Sequence, residues 1–231
     1  VRVVKKIGLI GGMTPESTCY YYRKYIEISR KKFRKYEYPE LLIYSINFRD
    51  FFMNPEGWEG RKRILINAAK ALERAGAELI ALTANTPHIV FDDIQKEISV
   101  PMVSIIDAVA EEILSHGLKK VLLLETKTTM SSGFYVNALK NKGLEVVVPN
   151  EEEQEELNRI IFEELAFENL KSKRWIIDLI ERYAKEEGVE GVILGCTELP
   201  LAVKRGDVSI EVFDSAEIHI KKLIEVASQS I

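Results

Sequence analysis

Three short segments of this chain gather small polar residues, each directly after an apolar run. They are Gly11-Gly12-Met13-Thr14, Thr83-Ala84-Asn85-Thr86-Pro87-His88 and Gly195-Cys196-Thr197-Glu198-Leu199-Pro200. An apolar run followed by such a turn reads as a buried strand whose carboxyl end opens a helix. The first backbone N–H groups and the positive dipole end of that helix suit a carboxylate ligand. The glycine turn lacks both Gly-x-Gly-x-x-Gly and a Lys-Ser/Thr pair, so a nucleotide is poorly supported. Cys196 carries the strongest chemical signal. At a helix start its thiol is expected to ionise more readily than usual, which would make it a nucleophile or proton carrier. Cys19, in the middle of a helical stretch, reads as a packing residue. His88 reads either as an orienting group for its turn or as a satisfied structural histidine. His116 and His219 read as ordinary helix positions. Asn150 followed by Glu151, Glu152 and Glu153 reads as a capped helix start with a solvated acidic first turn.

The elements that must hold these turns alternate. Lys6–Ile10 is a short strand, and a helix runs from Pro15 to about Lys35, with Thr14 as N-cap and Pro15 at the first helical position. Leu41–Ile46 is the next strand. Gly60–Ala75 is a helix, its apolar positions Ile64, Leu65, Ala68, Ala69 and Leu72 on one face and Gly76 at its end. Leu79–Leu82 is the third strand and Ile89–Ile98 a helix. Met102–Ile105 is read as a fourth strand, and a crossing helix begins at Ala108. Near-continuous apolar strands between amphipathic helices imply α/β architecture, with doubly wound parallel sheets covered on both faces.

The pattern then restarts. Residues 5–14 resemble residues 119–128 at an offset of 114, and residues 76–85 resemble 188–197 at an offset of 112. Two equivalences in one order and at nearly one offset argue for a duplicated lobe. The expected division is a first lobe over 1–110, a second over 111–211, and a tail from about 212 to 231 returning to the first. Ligands of such proteins lie in a cleft at the carboxyl ends of the strands.

Composition excludes other classes. The 231 residues are 46% hydrophobic and 29% charged, with 13 Gly and 7 Pro, which is too apolar for a disordered chain. No apolar run approaches the roughly 18 residues of a membrane span, and the apolar N-terminus reads as a strand rather than a signal peptide. Lys and Arg total 32 against 36 Asp and Glu, a net charge of −4, with no basic block, so nucleic acid is not an expected partner. Two distant cysteines and three scattered histidines make neither a disulfide scaffold nor a zinc site. A soluble, cytoplasmic protein is expected. Glutamine occurs only at 95, 154 and 229 among abundant Lys, Arg, Glu and Ile, a composition expected of a thermophile.

The segments Ile7–Thr18, Asn85-Thr86-Pro87-His88 and Gly195–Leu199 resemble, in order and over nearly the whole chain, the three motifs of the aspartate/glutamate racemases. The resemblance implies two similar α/β lobes with an active site between them, no cofactor (in particular no pyridoxal phosphate), and a small amino or carboxylic acid as ligand. In the family's usual pattern one cysteine from each lobe serves opposite faces of the substrate α-carbon. Cys196 matches the second. Asn85, Thr86 and Thr197 are then expected donors to the substrate. The Met13-Thr14 turn closes the pocket, and Thr126 and Glu198 flank it. Arg49 is a weaker candidate for an acidic substrate side chain.

The departure lies at Ala84, which stands where the family's first cysteine precedes Asn-Thr-x-His. Alanine carries no proton. Thr83, one residue earlier, is a weak substitute, since successive strand side chains point to opposite faces. The resemblance extends to the arylmalonate decarboxylases, which keep the second cysteine and lack the first. Three readings therefore stand: an amino-acid racemase, a single-cysteine enzyme on a related carboxylic acid, or a small-acid binding homologue without turnover. The oligomeric state stays open, a homodimer included.

Overall fold

The computed structural model describes residues 4–229, so residues 1–3 of the N-terminus read above as a strand lie outside it. The chain parts into two compact units, one formed by residues up to Ile105 together with those from His219 onward, the other by Ile106–Ile218.

The first unit holds a three-stranded parallel sheet of order β2-β1-β3, from β1 (Ile7–Gly11), β2 (Leu41–Ser45) and β3 (Leu79–Leu82). Helix α1 (Pro15–Lys32) starts as expected: the Thr14 hydroxyl accepts from the Ser17 N–H at 3.3 Å and Pro15 needs no donor. It stops three residues short of the expected Lys35, at an extended Phe33. A short helix, α2 (Phe48–Phe52), follows β2; Asn47 caps it by accepting from the Arg49 and Asp50 N–H groups. It is one turn long and too short to show a helical period, so periodicity misses it. Helix α3 (Gly57–Arg74) lays Leu65, Ala68, Ala69 and Leu72 against Ile10, Ile80 and Leu82 of the sheet. The expected helix over 89–98 is a 3₁₀ turn at Thr86–Val90 followed by α4 (Phe91–Lys96).

The second unit holds a four-stranded parallel sheet of order β5-β4-β6-β7, from β4 (Lys120–Leu124), β5 (Glu145–Val147), β6 (Gly191–Leu194) and β7 (Glu211–Asp214). Helices α6 (Lys127–Ser132), α7 (Phe134–Asn141), α8 (Glu151–Glu163), α9 (Lys173–Glu187) and α10 (Leu199–Ala202) join and cover the strands, after α5 (Ile105–Ser115) has carried the chain across the unit boundary. The capping box expected at Asn150 is formed, with Asn150 and Glu153 satisfying each other's backbone N–H groups. Leu122, Leu124, Leu157, Ile160, Ile180 and Val192 lie in its core.

The internal repeat extends to strand register. Ile7 pairs with Leu79, and Val121 with Gly191, which are the same two positions shifted by 114 and 112. Two expectations need correction on this basis. The segment from Met102 makes one bridge, Ile80 to Met102, instead of a full fourth strand. Helix α5 begins at Ile105 and leaves it no length to pair. Residues 212–214 do not return to the first lobe. Val212 pairs with Val192, the counterpart of Ile80, so β7 fills in the second sheet the place that Met102 takes in the first. The return to the first unit comes later, at His219 within the last helix, α11 (Ser215–Ser228).

Candidate active site

In the first unit the glycine turn and the Thr83 turn are tied together by hydroxyls. Gly12 has φ of 88°, and a Cβ there would meet the Ile46 backbone, so the position needs glycine. The Gly12 N–H donates to the Thr18 Oγ1 at 2.9 Å, which lies 3.4 Å from the Thr83 Oγ1. The Ser17 hydroxyl donates to the Thr83 carbonyl at 2.8 Å, and the Thr83 hydroxyl to the Ile10 carbonyl at 3.3 Å. Thr83 is completely buried. The hydroxyl expected to play a weak catalytic role is engaged in holding the strand ends. Ala84 and Thr86 are half-buried and Asn85 is buried, so of these Ala84 and Thr86 offer surface to a ligand. Met13 is buried, Thr14 half-buried at the head of α1, and Arg49 exposed on α2.

His88 fixes the same turn. Its Nε2 accepts from the Ile105 N–H at 3.1 Å, so the ring proton is on Nδ1, which faces the Ala84 and Asn85 carbonyls at 2.9 and 3.2 Å. Burial pulls its pKa down to about 4. It is thus a neutral orienting group with both nitrogens occupied. Behind it, at a ring distance of 6.0 Å, sits His219. Here the proton is on Nε2, donating to the Val103 carbonyl at 2.7 Å, while Nδ1 accepts from the Tyr21 hydroxyl at 2.8 Å. Burial, with His88 adding to it, pulls the pKa of His219 down to about 3. An amphipathic helix pattern shows a histidine only as a tolerated position, so this buried pair has no mark in the sequence.

In the second unit the turn after β6 carries Cys196, half-buried, with Thr197 and Glu198 beside it, also half-buried. The Thr197 hydroxyl donates to the Glu198 carboxylate at 3.3 Å. Contrary to the sequence expectation, the Cys196 thiol is pushed well above its ordinary range, first by burial, then by the carboxylates of Glu198 and Glu125. The backbone N–H groups of Leu199 and Glu198 favour the thiolate but do not outweigh these. The helix they open, α10, is only four residues long.

Glu125 went unnoticed in the motifs, although the internal repeat marks it: it stands where the first lobe has Gly11. It follows β4, next to Gly195, whose N–H donates to the Leu124 carbonyl at 2.7 Å. A Cβ at Gly195 would collide with the Glu125 side chain, so this glycine makes room for the carboxyl group. Only 3% of Glu125 is exposed. One oxygen accepts from the Thr126 N–H and, at 2.5 Å, from the Thr126 hydroxyl. Burial, partly opposed by these bonds, raises its pKa to about 7. Thr126, expected at the substrate, is half-buried and serves this carboxylate at the head of α6.

The structure therefore gathers Met13, Thr14, Thr83, Asn85 and Thr86 at the strand ends of the first unit, with Arg49 on the helix after β2. It gathers Thr126, Cys196, Thr197 and Glu198 at the strand ends of the second. Among the described residues no helix is long and apolar enough to cross a membrane.

Comparison with known proteins follows the same lines. A crystal structure of an aspartate racemase homologue from Pyrococcus horikoshii OT3 is 77% identical, with a TM-score of 0.94 over 97% of this chain and 100% of that one. A candidate Asp/Glu racemase from Yersinia pestis is 37% identical, with a TM-score of 0.91 over 97% and 100%. The broad-specificity amino-acid racemase RacX of Bacillus subtilis is 28% identical over 94% of this chain and 96% of its own. Residues 10–223 match the family described as Asp/Glu/Hydantoin racemase, and the chain belongs to that family.

Proposed function

We propose that the protein is a cofactor-independent amino-acid racemase of the aspartate/glutamate type in which Cys196 is one acid/base. The observation that carries this reading is the Cys196 turn: a half-buried thiol at a strand end, between two carboxylates and two backbone N–H groups. The family and the RacX relative, described as an amino-acid racemase, support it. Racemisation takes the α-proton from one face and delivers one to the other. The α-proton is weakly acidic, so donors around the substrate carboxylate must stabilise the carbanion-like state. In this reading Thr86 and Thr197, which reach the surface, are the donors, Met13, Thr14 and Thr126 belong to the turns that carry them, and Arg49 meets an acidic side chain. An amino acid also brings an ammonium group. Beside Glu198 and Glu125 that charge offsets their repulsion of a thiolate and lets Cys196 ionise when substrate is bound.

Ala84 favours a second reading. With no acid/base at that position, a single cysteine suffices for an enzyme that only protonates a carbanion, such as a decarboxylase of a related acid. The discriminating experiment follows each enantiomer of aspartate, glutamate and a panel of other amino acids by chiral chromatography. It uses protein given no pyridoxal phosphate, before and after hydroxylamine treatment. Inversion of an amino acid that survives the treatment supports the racemase. Carbon dioxide release from a malonate-type acid without inversion of any amino acid supports the second reading. Binding with neither reaction means that turnover has been lost.

A further inference from the structure

We propose that Glu125 is a positioning residue that, before substrate binds, adds to the opposition against a negative charge on Cys196. This rests on the reading of Cys196 as the proton carrier. The argument is geometric. β4 and β6 are neighbours in register, Leu124 opposite Leu194, so the next residues, Glu125 and Gly195, lie side by side at the strand ends. The missing side chain at Gly195 admits the carboxyl group beside the Cys196 turn, and almost none of Glu125 reaches solvent. A buried carboxylate beside Gly195, the residue that precedes Cys196, opposes formation of a second negative charge at the thiol.

The groups facing the pair support this assignment. From α6 the Thr126 and Thr129 hydroxyls serve Glu125, and from α7 the buried Tyr135 hydroxyl feels its charge and has no hydrogen-bond partner among the described residues. From the turn before α10 comes a second carboxylate, Glu198, which acts on both Glu125 and Cys196. Glu198 is half-buried, whereas Glu125 is enclosed. The enclosed carboxyl group titrates close to pH 7. Above that pH the enclosed group is charged and opposes the thiolate, and below it this opposition is relieved.

The test reads the thiol and not the turnover, so it fails or succeeds independently of the racemase reading. In a Cys19→Ser background, the rate of Cys196 alkylation by iodoacetamide is followed from pH 5 to 10 by mass spectrometry. The logarithm of the rate should climb with pH, flatten near pH 7 as Glu125 ionises, and climb again. In Glu125→Gln the flat step should vanish and the rate at pH 8 should rise, about tenfold for each unit by which the thiol pKa falls. In Glu198→Gln the rate should rise with the step retained. A wild-type profile without a step overturns the proposal whether or not Glu125→Gln folds. So does a folded Glu125→Gln protein whose profile matches wild type.

Discussion

The turn at Ala84 and the turn at Cys196 stand at equivalent ends of two sheets that share one register, yet they have opposite electrostatics. In the first unit the two buried histidines behind the turn are neutral. His88 and His219 have both nitrogens occupied, and Thr83 is locked to Ile10 and Thr18. In the second unit a thiol, an enclosed carboxyl group and a half-buried one sit together, and the enclosed one titrates near neutrality. The duplicated scaffold has thus separated two tasks. One half fixes backbone and hydroxyl donors in place, and the other sets a thiol beside an enclosed carboxyl group that titrates near pH 7.

The comparison breaks most readily at Ala84. If wild-type turnover is slow because this turn lacks an acid/base, Ala84→Cys should raise aspartate or glutamate racemisation by about 10²-fold or more. Ala84 is half-buried, and cysteine adds one sulfur atom there. Fast inversion of both enantiomers by the wild type would show that another group already serves, and an unchanged rate in a well-folded variant would locate the limit in the pocket.

The neutral character of the first unit can be tested through stability. Tyr21→Phe removes the donor to the His219 Nδ1 and leaves that nitrogen buried without it, which should cost about 1–3 kcal/mol in denaturant unfolding. Both histidines hold folded pKa values, about 4 and about 3, below the unfolded value near 6.5. The unfolded chain therefore binds protons first on acidification. The contribution of the pair is full above about pH 6.5 and declines, by about 1.4 kcal/mol per pH unit for each histidine, as pH falls toward 4. Replacing His219 by Phe should flatten that decline in urea titrations. An unchanged slope would mean that the ring is already charged in the fold.

The second unit should respond with the opposite sign. Glu125 has its folded pKa raised to about 7, so its contribution is full below the unfolded value near 4.5 and is lost as pH rises through 7. Glu125→Gln should therefore raise the thermal midpoint more at pH 8 than at pH 5. An equal shift at both would deny the buried charge. The smallest effect concerns composition: the scarcity of glutamine predicts a thermal midpoint above about 70 °C, and scanning calorimetry checks it.

Much of the scaffold was legible because it is periodic. The apolar strands, the Thr14 cap and the Asn150 capping box follow from local residue preferences, and the offsets of 114 and 112 reproduced the strand register. The one-turn helix at Phe48–Phe52 and the single bridge at Met102 are too short to carry a period. Residues 212–214 join the second sheet because Val192, like its counterpart Ile80, takes a partner on that side, a non-local pairing that no local pattern marks. At the site, Cys196 was legible from its place after an apolar run. The direction of its pKa was not, since it depends first on burial and then on the carboxylates of Glu198 and of Glu125, the latter 71 positions away in sequence and brought near only through the β4–β6 register. The buried histidine pair was hidden for the same reason, with its partners Tyr21 and Val103 far from His219 in the chain.

The most direct test of the contrast between the two turns is α-proton exchange in deuterated water, followed by NMR for each enantiomer of aspartate and glutamate with wild type and Cys196→Ala side by side. The wild type should replace the α-proton of one enantiomer with deuterium faster than it inverts it, and a folded Cys196→Ala protein should lose this exchange by about 10²–10⁴-fold or more. Exchange that persists undiminished in Cys196→Ala, or wild-type inversion that keeps pace with exchange from both enantiomers, would contradict this.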